Sequence, residues 1–199
     1  DEAADMLARK AMRVNLSDLA AMGATPLGYF LSLSLPKRID DSWIEAFCAG
    51  LASDQTEFDW HLMGGDSTST PGPISIAVTA LGTVPVGQAL RRSGAQVGDA
   101  VYVSGGIGDG FLGLLAAQGQ LPYGPEADAM LRRYRCPDPR IALGLALVGR
   151  AHAAMDVSDG LIGDLAHICE QSGVGAVLRA QSVPLSASAA ELVADQPNL

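Results

Sequence analysis

Residues 3–22 place Leu7, Ala11 and Val14 at three- and four-residue spacing, continue to Asp18 and Ala21, and stop at Gly23 with Pro26 just beyond. The spacing predicts one amphipathic helix with an acid, Asp18, on its inner face. From Gly28 the period changes to two, with Tyr29, Leu31, Leu33 and Leu35 alternating against Phe30, Ser32 and Ser34 until Pro36. That alternation predicts a strand with one apolar and one mostly polar face. A second helix is expected at about 40–53, and strands over 59–63 and 74–84, joined by a glycine- and hydroxyl-rich loop from Gly64 to Pro73. The order helix, strand, helix, strand, strand describes an α+β layer.

Residues 85–99 are rich in Gly and Arg without a clean period, and a domain boundary is placed near residue 88. Beyond it the pattern predicts a strand over 100–104, a glycine loop over 105–110 and a helix over 111–117. Helices follow at about 126–134 and 139–150, then a strand over 153–157, a helix over 159–171, a strand over 175–179 and a helix starting near 186. The fold class is α/β: an α+β domain over 1–88 followed by an α/β domain over 89–199. No internal repeat is present, and low-complexity character is confined to the Ala/Ser segment 186–190.

The 199 residues include 22 acidic and 13 basic side chains, for a formal charge of −9, which disfavours binding to nucleic-acid phosphates. With 48% hydrophobic and 18% charged residues the chain can bury a real core. No apolar run approaches the roughly 18 residues of a membrane span, and no secretory pattern opens the chain, so a cytoplasmic protein without a membrane partner is expected. Cys48, Cys136 and Cys169 are widely spaced and odd in number, which suits reduced thiols rather than a disulfide framework or a zinc site. The chain begins with Asp1 inside a helical pattern, which suggests a start within a longer polypeptide.

Three stretches bear hard oxygen donors. Asp18 lies near the C-terminal end of its helix, where the helix dipole is negative and a carboxylate favours a nearby cation. No Lys or Arg lies three or four residues away, and Asn15 stands beside it at i−3. Asp66 follows two glycines and precedes the hydroxyls of Ser67 and Thr68; an Asx-turn accounts for the same residues. Asp156, Ser158 and Asp159 occupy a strand-to-helix junction, where Asp159 alternatively serves as an N-cap. Carboxylates and hydroxyls without soft partners suit Mg²⁺, which binds one or two carboxylates together with waters and substrate phosphates. A metal and phosphate site follows, with Arg91 or Arg92 available to a phosphate. The loop Gly105–Gly110 departs from the dinucleotide-binding glycine spacing, and no Gly-Lys-Ser/Thr occurs. His61, His152 and His167 have no ligand-like spacing and read as structural.

Taken in order, Asn15-Leu16-Ser17-Asp18-Leu19-Ala20-Ala21-Met22-Gly23-Ala24, Gly64-Gly65-Asp66-Ser67-Thr68, Arg92-Ser93-Gly94-Ala95 and Met155-Asp156-Val157-Ser158-Asp159-Gly160-Leu161 resemble the motifs of the thiamine-monophosphate kinase family. That family belongs to the superfamily of aminoimidazole ribonucleotide synthetase, and the resemblance runs over essentially the whole chain. It implies the synthetase-like two-domain architecture and Mg²⁺ binding by Asp18, Asp66, Asp156 and Asp159. It further implies ATP contacts from Gly65, Asp66, Arg92 and Ser158. The implied reaction is phosphoryl transfer from ATP to thiamine monophosphate, giving thiamine diphosphate and ADP, in a homodimer. No general base is assigned, because a phosphate oxygen is already a nucleophile at neutral pH. The family's N-terminal Gly-Asp-Asp and Ser/Thr-Asp-Thr motifs and its C-terminal Gly-Gly-Glu-Asp-Tyr segment are not found between Asp1 and Leu199. The chain is therefore expected to be the central portion of such an enzyme, binding nucleotide weakly and turning over poorly by itself. Another ATP-using synthetase of the superfamily, or a non-catalytic nucleotide-binding module, is the alternative.

Overall fold

A computed structural model describes residues 2–121 and 124–195. Asp1 and Leu199, the two ends of the chain, lie outside the described residues. The chain divides into two compact units, Asp1–Arg91 with Asp138–Ala151, and Arg92–Pro137 with His152–Leu199. The segment 138–151, grouped on sequence with the second domain, packs in the first unit.

The first unit contains α1 (Ala4–Ala21), β1 (Thr25–Pro36), α2 (Asp41–Phe58), β2 (His61–Thr70), β3 (Ser75–Thr83) and, after the intervening segment, α5 (Ile141–Leu147). β1 is the central strand, parallel to β2 and antiparallel to β3. The parallel pair requires a crossover connection, which α2 supplies. On β1, Tyr29 and Leu33 are buried and Leu31 and Leu35 pack against the core, whereas Phe30 and Ser32 are exposed, as the alternation predicts. Trp60 is fully buried against Tyr29, with ring centroids 4.6 Å apart, and its indole N–H donates to the Gly28 carbonyl at 2.9 Å. Burial pushes the Tyr29 hydroxyl up to about 12, with Cys48 adding a smaller push in the same direction.

The helix over α1 forms as expected but presents a different face. Ala4, Ala8, Met12, Leu16 and Leu19 are buried, while Val14 and Asp18 are exposed. Ala and Leu positions cover more than one stripe of this helix, so spacing alone selected the stripe one residue out of phase. The inner face instead carries Arg13, which donates to Asp54 of α2 through Nε at 2.8 Å and Nη2 at 2.9 Å. Arg9 Nε donates to the same carboxylate at 2.9 Å, and Glu57 accepts from Arg13 at 2.5 Å. Asp54 is 0% exposed, so its charge is balanced within the α1–α2 interface.

The expected loop from Gly64 to Pro73 is mostly strand. β2 begins only at His61, because α2 runs on to Phe58 and ends in Asp59 at φ 49°, but it then continues to Thr70. Met63 is the extra residue at a register shift, with Tyr29 opposite Leu62 and Phe30 opposite Gly64. At Gly65 an added Cβ would overlap the Leu31 carbonyl oxygen. Glycine here permits the close approach of two strands rather than a turn.

The second unit is built on α3 (Asp109–Ala117), α4 (Pro125–Arg135), α6 (Leu161–Ser172) and α7 (Ala187–Asp195), with a short 3₁₀ turn over Ala180–Ser182. Leu112, Leu121, Ala127, Met130, Ala189 and Leu192 form its core. The glycine loop ends at Gly108, the N-cap of α3, and Asp109 is buried where it accepts from the Ser186 hydroxyl at 2.8 Å. This internal contact gives the loop a structural role. The strands expected over 100–104, 153–157 and 175–179 do not form among the described residues. Alternation marks which side chains would share a face, but a strand exists only with a ladder partner. Tyr102 and Val177 accordingly stay 90% and 84% exposed.

Candidate nucleotide and cation site

In the first unit, Asp18 is exposed in the last turn of α1, and Asp66 is exposed in the middle of β2. Register sets Asp66 opposite Ser32 and Thr68 opposite Ser34 of β1, and the Ser34 and Thr68 hydroxyls are 3.0 Å apart. Asp66 therefore stands on a hydroxyl-bearing sheet face rather than in an Asx-turn. Asn15 donates through Nδ2 to the Ala11 carbonyl at 2.8 Å, so its amide nitrogen is committed to its own helix.

In the second unit, Arg92 is exposed at the head of the Arg92–Ala95 loop, and Asp156, Ser158 and Asp159 lie in the junction before α6. Asp156 is half-buried, whereas Ser158 and Asp159 are exposed. The N-cap of α6 is Gly160, not Asp159. Asp164, 3% exposed in the first turn of α6, reaches back so that its Oδ2 accepts the Ser158 N–H at 3.0 Å and those of Asp159 and Gly160 at 3.2 Å. Sequence reasoning missed Asp164. Its signal was an Asp four residues after the junction glycine, inside a helix that lacks a side-chain N-cap.

The three histidines each face a carboxylate: His61 with Asp59 at 3.0 Å, His152 with Asp99 at 2.9 Å and His167 with Glu170 at 3.9 Å. Asp99 is held below the usual carboxylate range by the Gln96 backbone N–H first and by His152 second. Cys48, Cys136 and Cys169 are all free thiols.

The side chains of Asp18, Asp66 and Asp159 are solvent-facing and make no hydrogen bond or ion pair with other described residues. Uncommitted hard oxygens of this kind fit Mg²⁺, which keeps several waters. Among the described residues, no group of three or more His, Cys, Asp and Glu side chains is gathered tightly enough to hold a metal ion. Each of these carboxylates is open to a cation whose remaining ligands are water or phosphate oxygens.

A sheet-bearing unit and a helical unit define a two-domain α/β architecture. Residues 2–84 match the AIR synthase related protein N-terminal domain and residues 96–196 match the AIR synthase related protein C-terminal domain, and the chain belongs to this family. It is similar to the thiamine-monophosphate kinase of Caulobacter vibrioides, with 48% identity over 99% of this chain and 55% of the relative. The thiamine-monophosphate kinase of Stenotrophomonas maltophilia K279a is similar in structure, at a TM-score of 0.88 and 46% identity, over 95% of this chain and 61% of that one. A third protein, AaThiL, was solved as a complex with AMPPCP and TMP; its TM-score is 0.92 at 30% identity, over 98% of this chain and 63% of that one. The chain spans about half the length of the curated relatives it matches. Among the described residues no helix is long and apolar enough to cross a membrane.

Proposed function

We propose that the protein transfers the γ-phosphoryl group of ATP to thiamine monophosphate, giving thiamine diphosphate and ADP, with Mg²⁺ as cofactor. The observation that carries this reading is the set of exposed, uncommitted carboxylates at Asp18, Asp66 and Asp159 in a chain 48% identical to a thiamine-monophosphate kinase. The relative solved with AMPPCP and TMP supports the pairing of an ATP-like donor with a phosphate-bearing acceptor.

In this reading Asp18, Asp66, Asp156 and Asp159 hold Mg²⁺, which supplies charge neutralisation for the donor and acceptor phosphates. Gly65, Asp66, Arg92 and Ser158 contact ATP, with the Arg92 guanidinium taking a phosphate oxygen. A terminal oxygen of thiamine monophosphate forms the new bond to the γ-phosphorus, and the bond from that phosphorus to the ADP oxygen breaks. The protein's contribution is positioning and electrostatic stabilisation, so no residue is needed to remove a proton from the acceptor. Sheet edges β2 and β3 join a second copy to form a homodimer, and the reaction takes place in the cytoplasm.

Calorimetric titration with a non-hydrolysable ATP analogue, with and without Mg²⁺, tests the site. Mg²⁺-dependent binding is expected; binding that is unchanged by chelation overturns the cation assignment.

A further inference from the structure

Helix α6 is tied at both ends to the loops proposed to contact nucleotide and cation, and the role inferred for it rests on that proposed function. At its first turn, Asp164 gathers three consecutive backbone N–H groups, those of Ser158, Asp159 and Gly160, onto one buried carboxylate oxygen. At its last residue, the Ser172 hydroxyl accepts the N–H groups of Gly94 and Ala95 at 3.1 Å and donates to the Arg92 carbonyl at 3.3 Å. The two side chains are eight residues apart, about 12 Å along the axis of a stiff helix.

Both side chains bond to backbone groups outside α6. Asp164 lies inside the element rather than at its N-cap, and Ser172 spends its hydroxyl on a loop nearly 80 residues away in sequence. Three donors on one oxygen fix the dihedrals of three successive junction residues. Of the three, only the Gly160 amide belongs to the helix end, so the carboxylate braces the junction ahead of α6 rather than closing its N-terminus. The Arg92 loop is similarly constrained. Gly94 sits at φ +119°, where an added Cβ would lie 2.6 Å from the His152 carbonyl oxygen, and His152 is itself bonded to Asp99 at 2.9 Å.

We infer that Asp164 and Ser172 are positioning residues: through α6 they fix the Arg92–Ala95 loop and the Asp156–Gly160 loop relative to each other, and so set affinity for the metal–nucleotide. The sequence separation of the loops makes a shared helix the economical way to register them.

The test combines amide hydrogen exchange with titration of AMPPCP and Mg²⁺, on the protein and its D164A, D164N, S172A and S172T variants. D164A is expected to speed exchange at Ser158, Asp159 and Gly160 at least tenfold and to weaken analogue binding at least tenfold. D164N, which keeps an acceptor oxygen, recovers part of both. S172A acts in the same way on Gly94 and Ala95, and S172T, which keeps the hydroxyl, restores both readouts to within twofold of wild type. Unchanged exchange, or faster exchange with affinity held within twofold, overturns the inference. If D164A does not fold, the S172A and S172T pair decides. If the wild-type protein does not bind the analogue, the nucleotide assignment fails and the affinity claim with it, whereas loop fixing is still judged by exchange.

Discussion

The exposed Asp66 side chain makes no hydrogen bond or ion pair with another described residue, so exchanging one carboxylate oxygen for an amide removes charge while nearly conserving shape. Asp66→Asn is expected to leave the melting temperature within about 2 °C of wild type, as for surface changes of about ±0.5 kcal/mol, while weakening Mg²⁺-dependent analogue binding about tenfold or more. A large loss of melting temperature with unchanged affinity would make Asp66 structural. Asp54 is the opposite case. It is 0% exposed and accepts from both Arg9 and Arg13, and its removal leaves the buried Arg13 short of its main counter-charge. Asp54→Ala is expected to cost about 3–5 kcal/mol, read as a shift in the denaturation midpoint. A cost under about 1 kcal/mol would show that Glu57 compensates. Composition gave no hint of this network, because an Asp and an Arg on separate helices, 41 positions apart, acquire meaning only when the helices pack.

Helix α2 opens on Asp40, whose carboxylate accepts the Trp43 backbone N–H at 2.9 Å and the Ser42 hydroxyl at 2.8 Å. These two bonds, the backbone one first, hold Asp40 below the usual carboxylate range. A carboxylate lowered in the folded state adds stability that is present above its unfolded value, near 3.8, and is lost as pH falls through the lower folded value. Asp40→Ala is therefore expected to lower the melting temperature at pH 7, with the gap from wild type closing as pH falls below about 4. A gap of equal size at pH 7 and at pH 2.5 would contradict a charge-dependent cap. Among the helices and strands, most of the fold was legible. α1, β1, β3, α3, α4, α6 and α7 fall near their expected places, since each has a strong local period, a stop signal or both. The misses have physical causes. β2 contains glycine and hydroxyl residues that usually mark a turn, yet backbone pairing with β1 and the glycine demanded by Leu31 make it a strand. The face of α1 was misassigned because two stripes were apolar. The three strands expected in the second unit had the right alternation but no ladder partner among the described residues.

For the whole molecule, the order of motifs carried more information than any single motif. Asp18, Asp66 and the Asp156–Asp159 junction each have a bland local explanation, and the structure removes two of them: Asp66 is not in a turn and Asp159 is not the N-cap. The residues that hold the junction in place, Asp164 above all, stayed hidden because their role depends on a bond running backward from a helix. Membership of the AIR synthase related family and 48% identity to a thiamine-monophosphate kinase agree with the motif reading. The roles proposed for the site reduce to phosphoryl transfer between two phosphate-bearing substrates without a protein base. Incubating the purified protein with ATP, thiamine monophosphate and Mg²⁺, and quantifying thiamine diphosphate and ADP together, tests that transfer. Equal amounts of the two products, abolished by chelating the metal, are predicted. ADP released with inorganic phosphate and no thiamine diphosphate would contradict it.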